Sequence, residues 1–412
     1  MALYQELGTG LSEDDLALKE HIHRFAAEVL RPSAMELDAM SSEEAIAKGS
    51  VYWDVWRQMK EMGLHKQGMP ENVGGVTLAP IQRCVVLEEL GWGSIDWAVA
   101  FGAGGLPFTI AAFSGNQKLI EEMVIPYLED TKGEYIGCWP ITEPGHGGHD
   151  AVLAAMVGSG ISFDTRARRD GDEWVINGQK SAWVSNGTVA THGLVMLSAE
   201  EEGGGEPGYG IAVIPLDLPG VSRGKPLEKI GQRALNQGEV LFDDVRIPAE
   251  QMIVIPRGAG GGLMGAGFNP NAGLGMLFIG LARAAFEETL EYCKQRVQGG
   301  KPLVEHQLVQ RKLFDMLTKV ETARAYARAV MLYNASNPLG LGYYSNASKV
   351  YATQVAFEVA SDGVQLHGGM GLAKGILIEK LFRDARAGLI EDGANDSLAL
   401  LAAPTMISSY AY

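Results

Sequence analysis

Two segments built around tryptophan carry residue types suited to gripping a planar, polar ligand. In Trp139-Pro140-Ile141-Thr142-Glu143-Pro144-Gly145 an aromatic ring and an apolar side chain precede a hydroxyl and a loop of free amides. Trp183-Val184-Ser185-Asn186-Gly187 offers a second ring with a hydroxyl two residues on. A ring stacks on the flat face of a ligand while hydroxyls and amides fix its edge; each segment alone is equally the pattern of a packed tryptophan beside a turn. His146-x-x-His149-Asp150 supplies metal-ligand types, but within a Pro144-Gly145-Gly147-Gly148 loop that does not preorganise two imidazoles, and no metal is assigned. Gly260-x-Gly262-x-x-Gly265 follows the apolar run Met252–Ile255, yet Gly267, Pro270 and Gly273 stand where a dinucleotide-binding turn needs a helix. It reads as a flexible loop. His21, His23 and His306 read as helix-surface or packing histidines, and neither a Gly-x-Ser-x-Gly elbow nor a Walker A loop occurs.

The elements that must position these residues change character twice along the chain. From Ser12 to about Glu134 the pattern is helical: Leu16, Ile22 and Phe25 recur near a 3.6-residue period, and Ser12 followed by Asp15 marks a start. Gly49, Gly63, Gly74-Gly75 and Pro80 divide it into several helices. From about Gly137 short β-rich runs take over; Asn177-Gly178 predicts a hairpin turn, and Gly193–Leu197, Gly210–Ile214 and Glu239–Phe242 predict strands. A glycine-rich connector, Arg257–Gly275, leads back to helices, with Phe286, Leu290, Cys293 and Val297 spaced by 4, 3 and 4, and Leu313, Leu317 and Val320 repeating the scheme. The expected division is a helical domain at 1–135, a small β domain at 136–250 and a helical domain at 251–412.

The 412 residues, about 46% of them hydrophobic, suffice for two or three domains with ample core. With 34 Lys and Arg against 50 Asp and Glu, the net charge of −16 argues against nucleic acid and anionic membranes as partners. A polyanionic ligand would need locally supplied cations or amides. Cys84, Cys138 and Cys293 lie too far apart for a zinc ribbon or a disulfide framework, which fits a reduced, cytoplasmic chain. Met1 to Glu20 carries five acidic side chains, the opposite of a targeting signal. The uncharged stretches Trp97–Gln117 and Gly258–Ala282 are interrupted by glycines and by Pro107 or Pro270, so buried segments or loops are expected in place of membrane insertion.

Taken in order, these motifs resemble the acyl-CoA dehydrogenase family over nearly the whole chain. The resemblance rests on the Thr142-Glu143-Pro144-Gly145 loop, Asn177-Gly178-Gln179-Lys180, the Trp183-Val184-Ser185 strand and Gly231-Gln232-Arg233. It continues in Phe242-Asp243-Asp244-Val245 with Pro248, Leu303-Val304-Glu305-His306-Gln307, Gln365-Leu366-His367-Gly368-Gly369 and Arg383-Asp384-Ala385. It implies an α+β, mainly α fold: an N-terminal helical domain, a central β-barrel-like domain and a C-terminal four-helix bundle, usually as a homotetramer, with FAD at subunit contacts. By the same resemblance Trp139, Ile141, Thr142, Gly147, Gly148, Trp183 and Ser185 would line the flavin, while Arg296, Gln298, Gln307, Gln365, Gly368 and Gly369 would reach the FAD pyrophosphate of a neighbouring subunit. Glycine at 368 and 369 suits close approach of backbone to phosphate.

The family's reaction removes the α-proton of a CoA thioester with a carboxylate while hydride leaves the β-carbon for the flavin. Counting from Arg383-Asp384-Ala385, the family's catalytic Glu-Gly pair falls on Asp392-Gly393, with Glu391 beside it. Aspartate is one methylene shorter than glutamate, and a misplacement of ~1 Å can cost about a hundredfold in rate, so substrate or backbone must sit differently. Gly148 replaces the serine usual after the Thr-Glu-Pro-Gly loop, Ala394 replaces a threonine, Asp396 a common glutamine, and the arginine often beside the base falls near Asn271. The resemblance also implies an alternative, since some relatives acting on cyclic acyl groups take their base from an N-terminal helix, which draws in Asp96 of Gly93-Ser94-Ile95-Asp96-Trp97, a residue that equally suits a helix cap. A catalytic Asp96 would raise a 1,4-elimination. The leading expectation is FAD-dependent dehydrogenation of a bulky or cyclic acyl-CoA, with electrons passed to an electron-transfer flavoprotein. The alternatives are a flavoprotein oxidase or monooxygenase resembling nitroalkane oxidases, which also place Asp at the base position, and a repurposed CoA-binding homologue without dehydrogenase activity.

Overall fold

The computed structural model describes residues 7, 10–147, 162–204, 207–255, 271–337 and 341–410. Ser12 opens helix α1 (Glu13–Phe25) as expected, its Oγ accepting from the Asp15 amide while the Asp15 carboxylate accepts from the Ser12 amide at 2.9 Å. Reciprocal caps of this kind contribute about 1 kcal/mol. The chain continues through a wide-pitched turn, Ala26–Leu30, into α2 (Arg31–Asp38), then α3 (Val51–Glu61), α4 (Pro80–Gly93) and α5 (Ile95–Phe113). Leu16, counted into the apolar stripe, is 47% exposed. Helix α5 contains Pro107 and is long and apolar enough to cross a membrane by length and composition; 61% of its most apolar window is buried inside the chain.

Eight strands follow: β1 (Gly137–Cys138), β2 (Arg166–Asp170), β3 (Glu173–Lys180), β4 (His192–Glu200), β5 (Gly208–Pro215), β6 (Val221–Arg223), β7 (Val240–Pro248) and β8 (Met252–Ile255). They form one sheet in the order β6-β7-β3-β2-β4-β5-β8, with β1 beside β4. Neighbours are antiparallel except that β1 and β2 run parallel to β4.

Asn177-Gly178 does not form the expected hairpin turn. The hairpin between β2 and β3 turns at Gly171-Asp172, with Gly171 at φ 60°, and Asn177-Gly178 lies inside β3. There the register against β7 shifts, Gly178 has φ 141°, and a Cβ on it would come within 2.6 Å of Thr165 Cα. The pair makes a bulge, sealed by the Asn177 side chain donating to Asp244 Oδ1 at 3.0 Å and accepting from the Asp244 amide at 2.9 Å. Trp183-Val184-Ser185 is likewise a turn, joined to the loop before β7 by a single bridge, Ser185 to Gln237, and not a strand.

The C-terminal helices are α6 (Asn271–Gln295), α7 (Gln307–Ser336), α8 (Gly342–His367), α9 (Leu377–Ala387) and α10 (Asn395–Ser409). Helix α6 already begins at Asn271, inside the expected connector; the Gly260-x-Gly262-x-x-Gly265 pattern lies outside the described residues. Val297, counted as helical, belongs to the hairpin of β9 (Val297–Gln298) and β10 (Lys301–Pro302) and is exposed, because α6 ends two residues earlier.

Helix α6 packs on α7, α8 and, across to the N-terminal part, α4. At that crossing a Cβ on Gly91 would lie 1.9 Å from Leu277 O and one on Gly280 2.1 Å from Glu88 O, so the two backbones touch. Arg283 meets Glu88 at 2.7 Å and Glu89 at 2.5 Å beside the glycines, and Arg324 and Arg328 of α7 reach Glu88 from the other side at 3.0 and 3.1 Å. Burial alone would raise both glutamates; the guanidiniums outweigh it and hold them below the usual carboxylate range.

Candidate functional site

Asp392 sits in the turn between α9 and α10, with a left-handed φ of 49°. The residue is exposed, and among the described residues none donates to its carboxylate or pairs with it. Protein still surrounds it closely enough that desolvation raises its pKa, with Lys349 opposing. Glu391, half-buried, accepts from Gln232 Nε2 at 2.9 Å. Burial and the neighbouring Asp392 push its carboxyl up to about 7 against Gln232, Lys349 and Lys229.

Lys349 is fully buried in α8, donating to Gly393 O at 2.8 Å and Asn395 Oδ1 at 2.9 Å; burial draws its ammonium down to about 8, opposed by Glu391 and Asp392. One helical turn before it, Asn346 accepts from Asn271 Nδ2 at 2.9 Å, so a pair of amides occupies the place where the family's arginine was expected.

Asp96 has a different setting. It is fully buried in the first turn of α5, whose cap is Ser94 and not Asp96 itself. It accepts from Ser94 Oγ, from the Ala234 amide at 3.1 Å and from Lys380 Nζ at 2.9 Å. Lys380 also pairs with Asp384 at 2.5 Å. Burial pushes Asp384 up to about 6, helped by the charge of Asp96 and opposed by Lys380, whereas Lys380 and the hydrogen bonds hold Asp96 low against its burial. The structure therefore places Asp392 and Glu391 together and keeps Asp96 in a separate ion pair.

The first ligand-gripping set comes together beside the sheet. Pro140 O accepts from the Met196 amide at 3.2 Å and Thr142 O from the Ser181 amide at 2.9 Å, pinning the Trp139–Thr142 loop against β4 and next to the Trp183 turn. Trp139 and Ile141 are half-buried against the cluster containing Phe108 and Tyr209; Thr142 and Ser185 are half-buried, Gly147 is exposed, and Trp183 is 58% exposed. Gly148 lies outside the described residues. The second set gathers at one end of the helical bundle. The Tyr292 ring stacks on His367 at 4.0 Å, which brings Arg296, at the end of α6, toward Gln365, Gly368 and Gly369, at the end of α8. His306 Nε2 contacts Gln298 O at 2.9 Å and sets Gln307 at the start of α7. Arg296, Gln298, Gln307, Gln365, Gly368 and Gly369 are all exposed. Gly368 has φ 61°, and neither glycine would bring a Cβ within 4 Å of another atom, so open space faces both.

Glu143, His146 and Asp164 place potential metal ligands within 4.8 Å of one another. The carboxylate of Glu143 is already occupied by Lys180 Nζ at 2.6 Å and by the amides of Asp164 and Thr165 at 2.6 and 2.9 Å. An ammonium stands where a cation would compete, and the cluster carries no metal assignment; His149 and Asp150 lie outside the described residues.

Lys229, Lys349 and Lys380 had no role from sequence, and Gln232 stood only within the Gly231-Gln232-Arg233 motif, without its bond to Glu391. Two of them left a signal: Lys380 and Asp384 stand at i,i+4, and Asn346, Lys349 and Thr353 form a polar stripe on the buried face of α8.

Models of the acyl-CoA dehydrogenase N-terminal, middle and C-terminal domains match residues 12–128, 138–245 and 260–407. The short-chain specific acyl-CoA dehydrogenase of Bos taurus mitochondria is 30% identical over 411 residues, covering 97% of this chain and 92% of the relative. Among solved structures, a probable acyl CoA dehydrogenase from Mycobacterium abscessus superposes with a TM-score of 0.83 at 27% identity, over 96% of this chain and 99% of that one. A chain from the structure of the electron transferring flavoprotein of Acidaminococcus fermentans gives 0.79 at 25%, over 97% and 100%. Three ordered domains and a relative alike from end to end identify the group: the chain belongs to the acyl-CoA dehydrogenase family of FAD-dependent oxidoreductases.

Proposed function

We propose that the chain dehydrogenates a bulky or cyclic acyl-CoA thioester, with Asp392 as the base that takes the α-proton. The observation that carries this reading is the contrast among three carboxylates. Asp392 is open and unpartnered among the described residues, Glu391 is engaged by Gln232, and Asp96 is locked between Lys380 and a backbone amide. A raised pKa makes an open carboxylate a better proton acceptor near neutrality. A base one methylene short, with Ala394 and the Asn271–Asn346 amides nearby in sequence and fold, leaves room for a wider acyl group. The short-chain specificity in the name of the Bos taurus relative is the competing expectation for size.

FAD fits the residues present. The exposed ring of Trp183, with Trp139, Ile141, Thr142 and Ser185, suits a flat isoalloxazine, and Arg296, Gln298, Gln307 and Gln365 with the open faces of Gly368 and Gly369 suit a pyrophosphate. When bound, FAD supplies the hydride acceptor. The two sets stand on different parts of one chain, and the exposed apolar side chains Val297, Leu308, Phe314, Met370 and Leu372 lie on the same segments as the second set. A homotetramer, or at least a dimer, in which each FAD touches two chains is the assembly in keeping with this. The likeness to a chain in the Acidaminococcus fermentans structure supports an electron-transfer flavoprotein as acceptor.

The test is an anaerobic titration of purified protein with straight, branched, cyclohexane-type and aryl CoA thioesters, read as loss of oxidised-flavin absorbance. Bleaching by branched or cyclic thioesters supports the proposal. Bleaching by short straight chains alone overturns the acyl-group assignment, and a yellow protein that no thioester bleaches overturns the dehydrogenase reading and turns the test to oxygen consumption with nitroalkanes.

A further inference from the structure

The turn that carries Asp392 is gripped on both sides by buried groups that the proposed reaction leaves without a role. Gln232 is 2% exposed and holds φ at 49°, a backbone setting that a glutamine keeps only when its surroundings impose it. Its amide donates to Asp384 Oδ1 at 2.5 Å, and its Nε2 reaches Asp384 O at 3.5 Å and Glu391 Oε1 at 2.9 Å. On the far side Lys349 clasps Gly393 O and Asn395 Oδ1. Asp392 stands between these two anchorages, which come from the loop before β7 and from α8.

We propose that Glu391 is the positioning residue of Asp392: anchored on Gln232, it fixes the turn that presents the carboxylate and, through its own charge, sets how readily Asp392 carries a negative one. This rests on the reading of Asp392 as the base. The groups that face Glu391 are Asp392 on its own turn, Lys349 on α8 and Lys229 on the Gln232 loop, with Asp384 of α9 joined to it through Gln232. Held up to about 7, Glu391 changes charge in the neutral range, so the electrostatic field at Asp392 changes there too.

The experiment uses the full chain with its flavin, labelled with carboxyl-13C glutamate and titrated by NMR. The Glu391 signal is the one that titrates near neutrality and disappears in Glu391→Gln. Gln232→Leu removes a donor to the charged form and is expected to raise the Glu391 midpoint by about half a unit or more; Asp392→Asn removes the neighbouring charge and is expected to lower it by a similar amount. Midpoints unmoved in both variants overturn the proposal whether or not any thioester reduces the flavin. With a reducing thioester in hand, Glu391→Gln is expected to slow flavin reduction at saturating substrate about tenfold or more, to flatten its pH dependence around neutrality and to leave KM within about twofold. A Glu391→Gln protein with wild-type rate and pH profile overturns the positioning role. If the wild-type flavin is never bleached, the reading of Asp392 as base falls and the NMR midpoints alone decide the coupling.

Discussion

Lys380 ties Asp96 to Asp384: its Nζ lies 2.9 Å from one carboxylate and 2.5 Å from the other, and all three side chains are buried. One ammonium thus joins the first turn of α5 to the helix that leads into the Asp392 turn. Removing it leaves two carboxylates in a dry interior. Lys380→Met is expected to lower stability by about 3–5 kcal/mol, the usual cost of breaking a buried pair from one side; urea denaturation of wild type and variant measures it.

Asp96 and Asp392 are expected to part ways under the same substitution. Asp392→Asn keeps its flavin and its stability, because the carboxylate has no partner to lose, but loses about 10²–10⁴-fold in flavin reduction by a thioester. Asp96→Asn weakens the Lys380 pairing, costs about 3 kcal/mol and leaves the rate per folded enzyme within a few-fold. Rapid-mixing reduction kinetics alongside thermal melts separate the two. A fast Asp392→Asn enzyme with a dead Asp96→Asn one would transfer the base to α5.

The carboxyl of Glu391 is expected to leave a mark on stability as a function of pH. Its folded pKa, about 7, lies above the unfolded value of 4.5, so the folded state holds this proton more tightly. The contribution of the group is fully present below about 4.5 and is lost as pH rises through about 7. Glu391→Gln has no proton to lose, so its stability relative to wild type should climb across that window. Denaturation curves at pH 5 and pH 8 measure this; a constant difference would show that Glu391 titrates as an ordinary surface glutamate.

Trp183 offers a test of the flavin set that bypasses catalysis. Its ring is largely exposed, so Trp183→Ala is expected to change the stability of the apo chain by less than about 0.5 kcal/mol. Loss of a stacking face is expected to weaken FAD binding about tenfold. Equilibrium titration of apoprotein with FAD, followed by flavin fluorescence, gives the number.

What the sequence made legible was local or ordered along the chain. The Ser12 cap is decided within four residues, and the succession of helices, strands and helices follows from a change of period near Gly137 and again before Phe286. Asp392 was reached by counting within one short motif, and its role as base rests on the Asp392→Asn test. Asn177-Gly178 misled because the same pair that favours a tight turn also tolerates the positive φ of a bulge, and the decision belongs to Asp244, 67 residues away. Val297 fitted the helical spacing but fell past the last turn of α6. The contact between Gln232 and Glu391 spans 159 positions and that between Asp96 and Lys380 spans 284. No periodicity records such meetings; they exist only once three separate parts of the chain have packed.

The crossing at Gly91 and Gly280 sets an order of events during synthesis. Helix α4 emerges from the ribosome with a flat glycine face and two acidic side chains whose guanidinium partners, Arg283, Arg324 and Arg328, are encoded some 190 residues or more downstream. Until α6 arrives, Glu88 has none of its guanidiniums, Glu89 has only Lys19 and His23 of α1 beside it, and the seam cannot close dry. The first helices must therefore wait, loosely assembled, while the whole sheet is made. A nascent chain of this protein completes its N-terminal core only when its last third has been translated.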